Sequence, residues 1–244
     1  MSKLTIEQGI VTTSSGRQIM NELDLTVQSG DFITVLGGNG AGKSTLFNAI
    51  SGQLRLTSGD VTINSTSVKQ LSEEKRAKYV ARVFQDPKQG TAPRMTVEEN
   101  LALAALRGKR RGLRITPMDT DEVIKRCIQV GNGLEHHLKS FAGDLSGGQR
   151  QALSLIMTTL TQPDILLLDE HTAALDPKTA QQLMLLTQEM VVTQQLTCLM
   201  ITHRMEDALV YGNRLIVLEN GAVVADYNEE EKKKLSLNDL LGFF

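Results

Sequence analysis

The feature that most constrains this chain is Gly37-Gly38-Asn39-Gly40-Ala41-Gly42-Lys43-Ser44, a GxxxxGK[ST] pattern followed by Thr45. A phosphate anion needs several donors converging on it. A backbone loop supplies them only where side chains stay out of the way, hence the recurring glycines. The apolar run Phe32–Leu36 before the pattern predicts a buried strand, and residues 43–50 predict a helix whose positive end adds to the loop. In that context Lys43 is expected to reach the β- and γ-phosphates of a nucleotide and Ser44 to bind Mg²⁺. By chance a chain of 244 residues would carry the pattern on the order of once in a hundred. A plain glycine-rich turn is therefore set aside.

The rest of the chain is organised around this loop. Residues 1–36 alternate short apolar and polar runs, with turn signals at Ser14 to Gly16 and Ser29-Gly30, and read as antiparallel strands and hairpins. A further β-like stretch lies near 61–63. From 96 to 159 helical spacing dominates, as in Val97, Leu101, Ala104 and Ala105. Strand-like runs return at 165–168, 197–201 and 215–218, separated by helical stretches at 177–195 and 205–211. Such alternation implies a mainly parallel sheet covered on both faces. The fold expected is α/β: a P-loop NTPase, RecA-like core with an N-terminal antiparallel β portion and a helical insertion. Its boundaries are 1–85 and 160–228 for the core, 86–159 for the helical part and 229–244 for a tail.

Ile165-Leu166-Leu167-Leu168-Asp169-Glu170 is an apolar strand ending in two carboxylates. A buried strand delivers its last residues to the sheet edge where the phosphate loop also lies. Asp169 suits Mg²⁺ coordination, and Glu170 is placed to orient or deprotonate an attacking water. Alone, such a pair is more often a solvated strand end; beside Lys43 the chemical reading gains weight.

A rarer pattern follows. Leu145-Ser146-Gly147-Gly148-Gln149, with Arg150-Gln151 after it, resembles the signature peptide of ABC ATPases. Gln85 in Val83-Phe84-Gln85-Asp86 resembles the Q-loop glutamine. Ala173-Ala174-Leu175-Asp176 resembles the D-loop, and His203 in Ile201-Thr202-His203 the switch histidine. On these ordered motifs the chain is identified as a member of that family, and the resemblance covers essentially its whole length. Physically, Ser146, Gly147 and Gly148 offer a hydroxyl and N–H groups at an expected helix start, a second anion site distinct from the Lys43 loop.

The resemblance implies a head-to-tail homodimer in which each γ-phosphate of ATP lies between Lys43 of one copy and Ser146 of the other. It implies that Gln85 contacts Mg²⁺ or the lytic water and senses the membrane partner. His203 would hold the γ-phosphate and support Glu170, and Asp176 would reach across the dimer. The nucleotide would be held by Gly37, Gly38, Asn39, Gly40, Ala41, Gly42, Lys43, Ser44, Thr45, Ser146, Gly147, Gly148, Gln149 and Asp176, with Ser44, Gln85 and Asp169 on the metal. The string Glu170 to Asp176 looks like ATPases of tryptophan/tyrosine-type uptake systems. Partners implied are integral membrane permease subunits and, indirectly, an extracytoplasmic solute-binding protein.

Two departures stand out. Most relatives carry an aromatic residue upstream that stacks on adenine; here that place falls at Thr13 or Ser14, and residues 1–31 hold no Phe, Tyr, Trp or His. Arg17 or Val11 is the substitute expected, with looser discrimination between ATP and GTP. His171 stands where many relatives have proline; it reads as a turn residue or as a modulator of hydrolysis with pH.

Composition narrows the function. A net charge of −2 argues against a general nucleic-acid binder. Cys127 and Cys198 form no CxxC pair, so a disulfide framework or Cys-based zinc site is not expected. The N-terminus lacks the apolar core of a signal peptide, and no run approaches the ~20 apolar residues that cross a bilayer. The protein is expected to be cytoplasmic, docked on the inner membrane face. Lys109, Arg110, Arg111 and Arg114 form a basic cluster, read as a solvated loop or a contact for anionic lipid. The tail 229–234 reads as a surface helix with i,i+3 charge pairs. The rival readings are a soluble ATPase serving iron–sulfur cluster assembly, which shares every motif, and a repair or chromosome ATPase, whose long insertions are absent.

Overall fold

The computed structural model describes residues 2–107, 120–130 and 132–244. The basic cluster at Lys109, Arg110, Arg111 and Arg114 lies outside them. The chain begins with β1 (Ser2–Thr12), β2 (Gln18–Gln28) and β3 (Phe32–Leu36), then α1 (Lys43–Ser51), β4 (Ser58–Ile63) and β5 (Thr66–Ser67). After α2 (Glu73–Arg76) and β6 (Val80–Val83) come the helices α3 (Val97–Ala104), α4 (Thr120–Val130) and α5 (Gly147–Thr159). The last third alternates: β7 (Ile165–Asp169), α6 (Pro177–Thr193), β8 (Cys198–Ile201), α7 (Met205–Val210), β9 (Arg214–Glu219) and β10 (Ala222–Tyr227). Two short helices close it, α8 (Glu229–Lys232) and α9 (Leu237–Leu241).

The strands form two sheets. One is mainly parallel, in the order β10-β9-β3-β8-β7-β6, with only β10 antiparallel. The other is antiparallel, in the order β2-β1-β4-β5. This is the P-loop NTPase arrangement expected. Strands β3, β7 and β8 are almost wholly apolar, Thr34 and the terminal Asp169 excepted, because helices or the second sheet cover both of their faces. Side chains alternate along them. Ile33, Val35, Ile165, Leu167, Leu199 and Ile201 join α1 and the antiparallel sheet in one core. Leu166, Leu168, Cys198 and Met200 face α5 and α6 in another. The helices of the middle segment pack on themselves, with Val97, Leu101, Cys127, Leu134, Leu145, Leu153 and Ile156 in a third cluster.

Register places the site. Ile201 pairs with both Val35 and Asp169, so β3, β8 and β7 end level, and the residues just beyond them share one edge. The helix that receives the phosphate loop is fixed from its far end. Arg76 is buried, and its guanidinium donates to the carbonyls of Ala49 and Ile50 at 2.5 and 3.1 Å, capping α1.

Two expectations need correction. Residues 229–234 are not simply a surface helix. Glu229 pairs with Lys233 at i,i+4, but Lys232 is buried, and its ammonium donates to the carbonyls of Tyr211 and Gly212. Burial pushes its pKa down to about 8. Strands β6 and β10 were also not foreseen, and both lie on edges of the parallel sheet.

Candidate functional site

The loop 37–42 turns on backbone geometry that only glycine supplies cheaply. Gly37 has φ 154°, and a Cβ there would sit 2.4 Å from the Leu218 carbonyl oxygen. Gly42, at φ 104°, is the N-cap of α1 and presents no side chain to its first turn, leaving those N–H groups for an anion. Asn39, Gly40 and Ser44 are exposed, Gly38 and Thr45 half-buried, and Ala41 packs into the core. The Ala41 carbonyl accepts from Gly221 N at 2.9 Å, tying the loop to the β9–β10 turn.

Lys43 is buried, and its ammonium donates to the carbonyls of Gly37 and Gly38 at 2.6 and 3.0 Å. Burial lowers its pKa, and the charges of Glu170 and Asp169 work against that shift. The loop lysine and both carboxylates therefore belong to one electrostatic site.

At the end of β7, Glu170 holds φ 45°, a left-handed conformation uncommon for a residue with a side chain. Its Oε1 lies 2.5 Å from Nε2 of His203, which follows β8. Asp169 Oδ2 lies 2.5 Å from a guanidinium nitrogen of Arg82 on β6, a residue that sequence reasoning missed. Because Val83 pairs with Leu168 in parallel, Gln85 emerges one residue past the level where β7 ends at Asp169, and it is exposed. A hydroxyl, an amide oxygen and one carboxylate are hard oxygen donors, the set that suits Mg²⁺ when phosphate oxygens complete the shell. The described residues hold no cluster of three or more His, Cys, Asp or Glu, so a cation cage built by protein alone is not indicated among them.

The second motif sits elsewhere. Ser146 is the N-cap of α5 in a reciprocal box: its hydroxyl accepts from Gln149 N, and its own N–H donates to Gln149 Oε1, both at 3.2 Å. The expected helix start is there, but part of the serine's acceptor capacity is already engaged. A Cβ on Gly148 would meet Thr179 Cγ2 at 2.4 Å, so a larger residue there would displace the Thr179 side chain. Gly147 is exposed and faces Leu175. Asp176 caps α6 through Thr179 N at 3.1 Å, and the hydrogen bonds of Thr179 hold its carboxyl below the usual carboxylate range. The neighbours of this turn are thus Leu175, Thr179 and Asn132, whereas those of the lysine loop are Leu218, Gly221 and Ile19. The structure joins Lys43, Asp169, Glu170 and His203; it does not bring Ser146 among them.

Of the substitutes expected for the adenine aromatic, Val11 is excluded. It is buried in the main core: Leu4 and Ile6 face inward, and the irregularity of β1 between Ile6 and Gly9, where Gln8 has φ 47°, shifts the alternation so that Val11 faces inward too. Arg17 is exposed on the hairpin between β1 and β2, whose neighbour Ile19 abuts Gly42. His171 is a buried turn residue. Its Nε2 is 3.0 Å from Thr187 Oγ1 on α6, and burial pushes its pKa down to about 4, which favours the turn reading over a modulation of hydrolysis near neutrality.

The profile of the ABC transporter family matches residues 20–173. A tyrosine transport ATP-binding protein of Clostridioides difficile is 45% identical, over 93% of this chain and 90% of that protein. A spermidine/putrescine import ATP-binding protein of Salmonella typhimurium is 31% identical over 99% of this chain, which spans 62% of that relative's length. Among solved structures, the ATP-binding cassette MJ0796, dimeric in a post-hydrolysis state with ADP and Pi, superposes with a TM-score of 0.76. It is 27% identical and covers 93% of this chain, and the match spans 98% of its own.

Proposed function

The chain belongs to the ABC transporter family as an ATP-binding, ATP-hydrolysing subunit, and from that premise we propose that it powers uptake of an amino acid, of tyrosine or tryptophan type, through integral membrane permease subunits. The likeness to a tyrosine transport protein over nearly the whole of both chains supports the solute class. Among the described residues no helix is long and apolar enough to cross a membrane; on this reading membrane-spanning partners would carry the solute. A solute-binding protein would deliver to them from outside.

The observation that carries this reading is the 2.5 Å contact of Glu170 with His203 beside buried Lys43, while the Ser146 turn of the same chain keeps other neighbours. Two copies arranged head to tail complete each site: Lys43 and the loop amides of one hold the phosphates, and Ser146 with the first turn of α5 of the other closes over them. Ser44, Asp169 and Gln85 would hold Mg²⁺, which neutralises charge developing on the phosphate oxygens. Glu170 accepts the proton of the attacking water, and His203 keeps that carboxylate in position. Hydrolysis then removes part of the bridge between the copies and lets them part.

Coupling runs through the helical segment. A groove of about 290 Å³ lies between β6, α3 and α5, lined by Ala81, Phe84, Gln89, Ala104 and Met157, close to Gln85. Gln151 on α5 donates to the Phe84 carbonyl at 2.9 Å, so the helix that starts at the Ser146 turn also holds the strand end before Gln85. A permease element seated in the groove would move both together.

The test is reconstitution. Co-expressed with its permease in proteoliposomes, the protein should support ATP-dependent tyrosine uptake. Recovery with a soluble scaffold only, or uptake indifferent to ATP, would overturn the proposal.

A further inference from the structure

We infer that Arg82 is a positioning residue that shares Asp169 with the divalent cation and thereby weakens, and orients, metal binding at this site. The inference rests on the reading of Asp169 as a metal-shell residue. Arg82 interrupts the otherwise apolar strand Val80-Ala81-Arg82-Val83, and its side chain is buried to 10% exposure. Its guanidinium is held from several sides. One nitrogen donates to Asp169 Oδ2 at 2.5 Å, and another to Asn48 Oδ1 at 2.7 Å and Gln53 Oε1 at 3.0 Å. The plane also lies over the rings of Phe84 and Phe47, at 5.0 and 5.8 Å from their centroids.

This fork spans the site. Asn48 stands on the helix that begins with Lys43, and Phe84 directly precedes Gln85. A rotation of Arg82 would be felt by the phosphate loop, the carboxylate and the glutamine segment at once. Its Nε is buried without a hydrogen-bond partner among the described residues. With Oδ2 engaged, Asp169 offers its other oxygen to the metal shell. A unit positive charge sharing a carboxylate with a divalent ion weakens that ion's binding by on the order of tenfold, even at water-like screening.

The experiment measures Mn²⁺ binding by EPR in the presence of ADP, for the wild type, Arg82→Met and Arg82→Lys, with ATP turnover at saturating metal alongside. In Arg82→Met, Mn²⁺ should bind about tenfold more tightly while kcat falls about threefold, because the carboxylate is no longer held. Arg82→Lys keeps the charge and loses the fork, so Mn²⁺ affinity should stay within about twofold of wild type while kcat falls. A folded Arg82→Met with unchanged or weaker Mn²⁺ binding overturns the inference. Should that variant not fold, a changed affinity or an unchanged kcat in Arg82→Lys does so. Absence of any ADP-dependent Mn²⁺ site in the wild type would instead sink the reading of Asp169 itself.

Discussion

The glycine-lysine loop and the Ser146 turn are both helix starts, yet they are built differently. The first opens α1 with a left-handed glycine and no side-chain cap, over a buried lysine, at an edge where three strands end level. The second opens α5 with a serine already engaged in a capping box, exposed on the helical segment. An uncapped start with a buried cation can hold phosphate by itself. A capped, exposed start gains little until a charge is brought to it. On the proposed reading, the difference means that one copy would be complete for binding and incomplete for closure.

The residues 170–176 physically link the two regions, since they leave the Glu170–His203 pair and end at Leu175 and Asp176 beside Gly147 and the start of α6. The largest effect expected is at their origin. Glu170→Gln should keep nucleotide binding and lower hydrolysis by on the order of 10³-fold, with ATP trapping a dimer visible by gel filtration. Near-normal turnover would break the comparison at its first half.

His171 tests the link itself. Its folded pKa is depressed from 6.5 to about 4, so between those values the unfolded chain binds the extra proton and the folded one does not. Stability from this group is fully present above about pH 6.5 and is lost as pH falls towards 4, by roughly 3 kcal/mol in all. Replacing His171 with Gln should remove that part of the acid sensitivity in melting curves, while the pH–rate profile near neutrality stays as in the wild type. A profile that shifts near pH 7 would contradict the buried, neutral imidazole.

The smallest effect concerns the open side of the lysine loop. With no aromatic residue in 1–31 and Val11 in the core, Arg17 is the remaining stacking group, exposed on the hairpin. Binding of ATP and GTP should then differ by less than about fivefold, and Arg17→Ala should weaken both by a similar factor. A strong adenine preference in equilibrium binding would require a base contact elsewhere.

Much of this molecule was legible in the chain because its chemistry is local. A phosphate loop must be contiguous, and β3, β7 and β8 announce themselves as short, mostly apolar runs. The antiparallel portion and the helical segment followed from periodicity. What was missed depends on distant partners. Arg82 makes β6 look too polar for a buried strand, and its reason, Asp169, comes 87 positions later. Lys232 sits in a charged run that reads as surface, and only the fold gathers the Tyr211 and Gly212 carbonyls around it. Strand β10 did carry a signal: Asn220-Gly221, both at positive φ, is the hairpin dipeptide between β9 and β10. Val11, offered as a substitute contact for the base, is turned into the core by the irregularity of β1 at Gln8, which simple alternation from Leu4 and Ile6 does not reveal.

The proposal that each reaction centre is shared between copies is tested most directly by mixing two broken proteins. Lys43→Ala should lose phosphate binding and Ser146→Arg should lose closure, so each alone is expected to be inactive. In a one-to-one mixture, half the dimers pair one of each, and every such dimer keeps one intact centre, so turnover should recover to about a quarter of wild type. A mixture no more active than its parts, with wild-type turnover persisting at dilutions where only monomers exist, would contradict it.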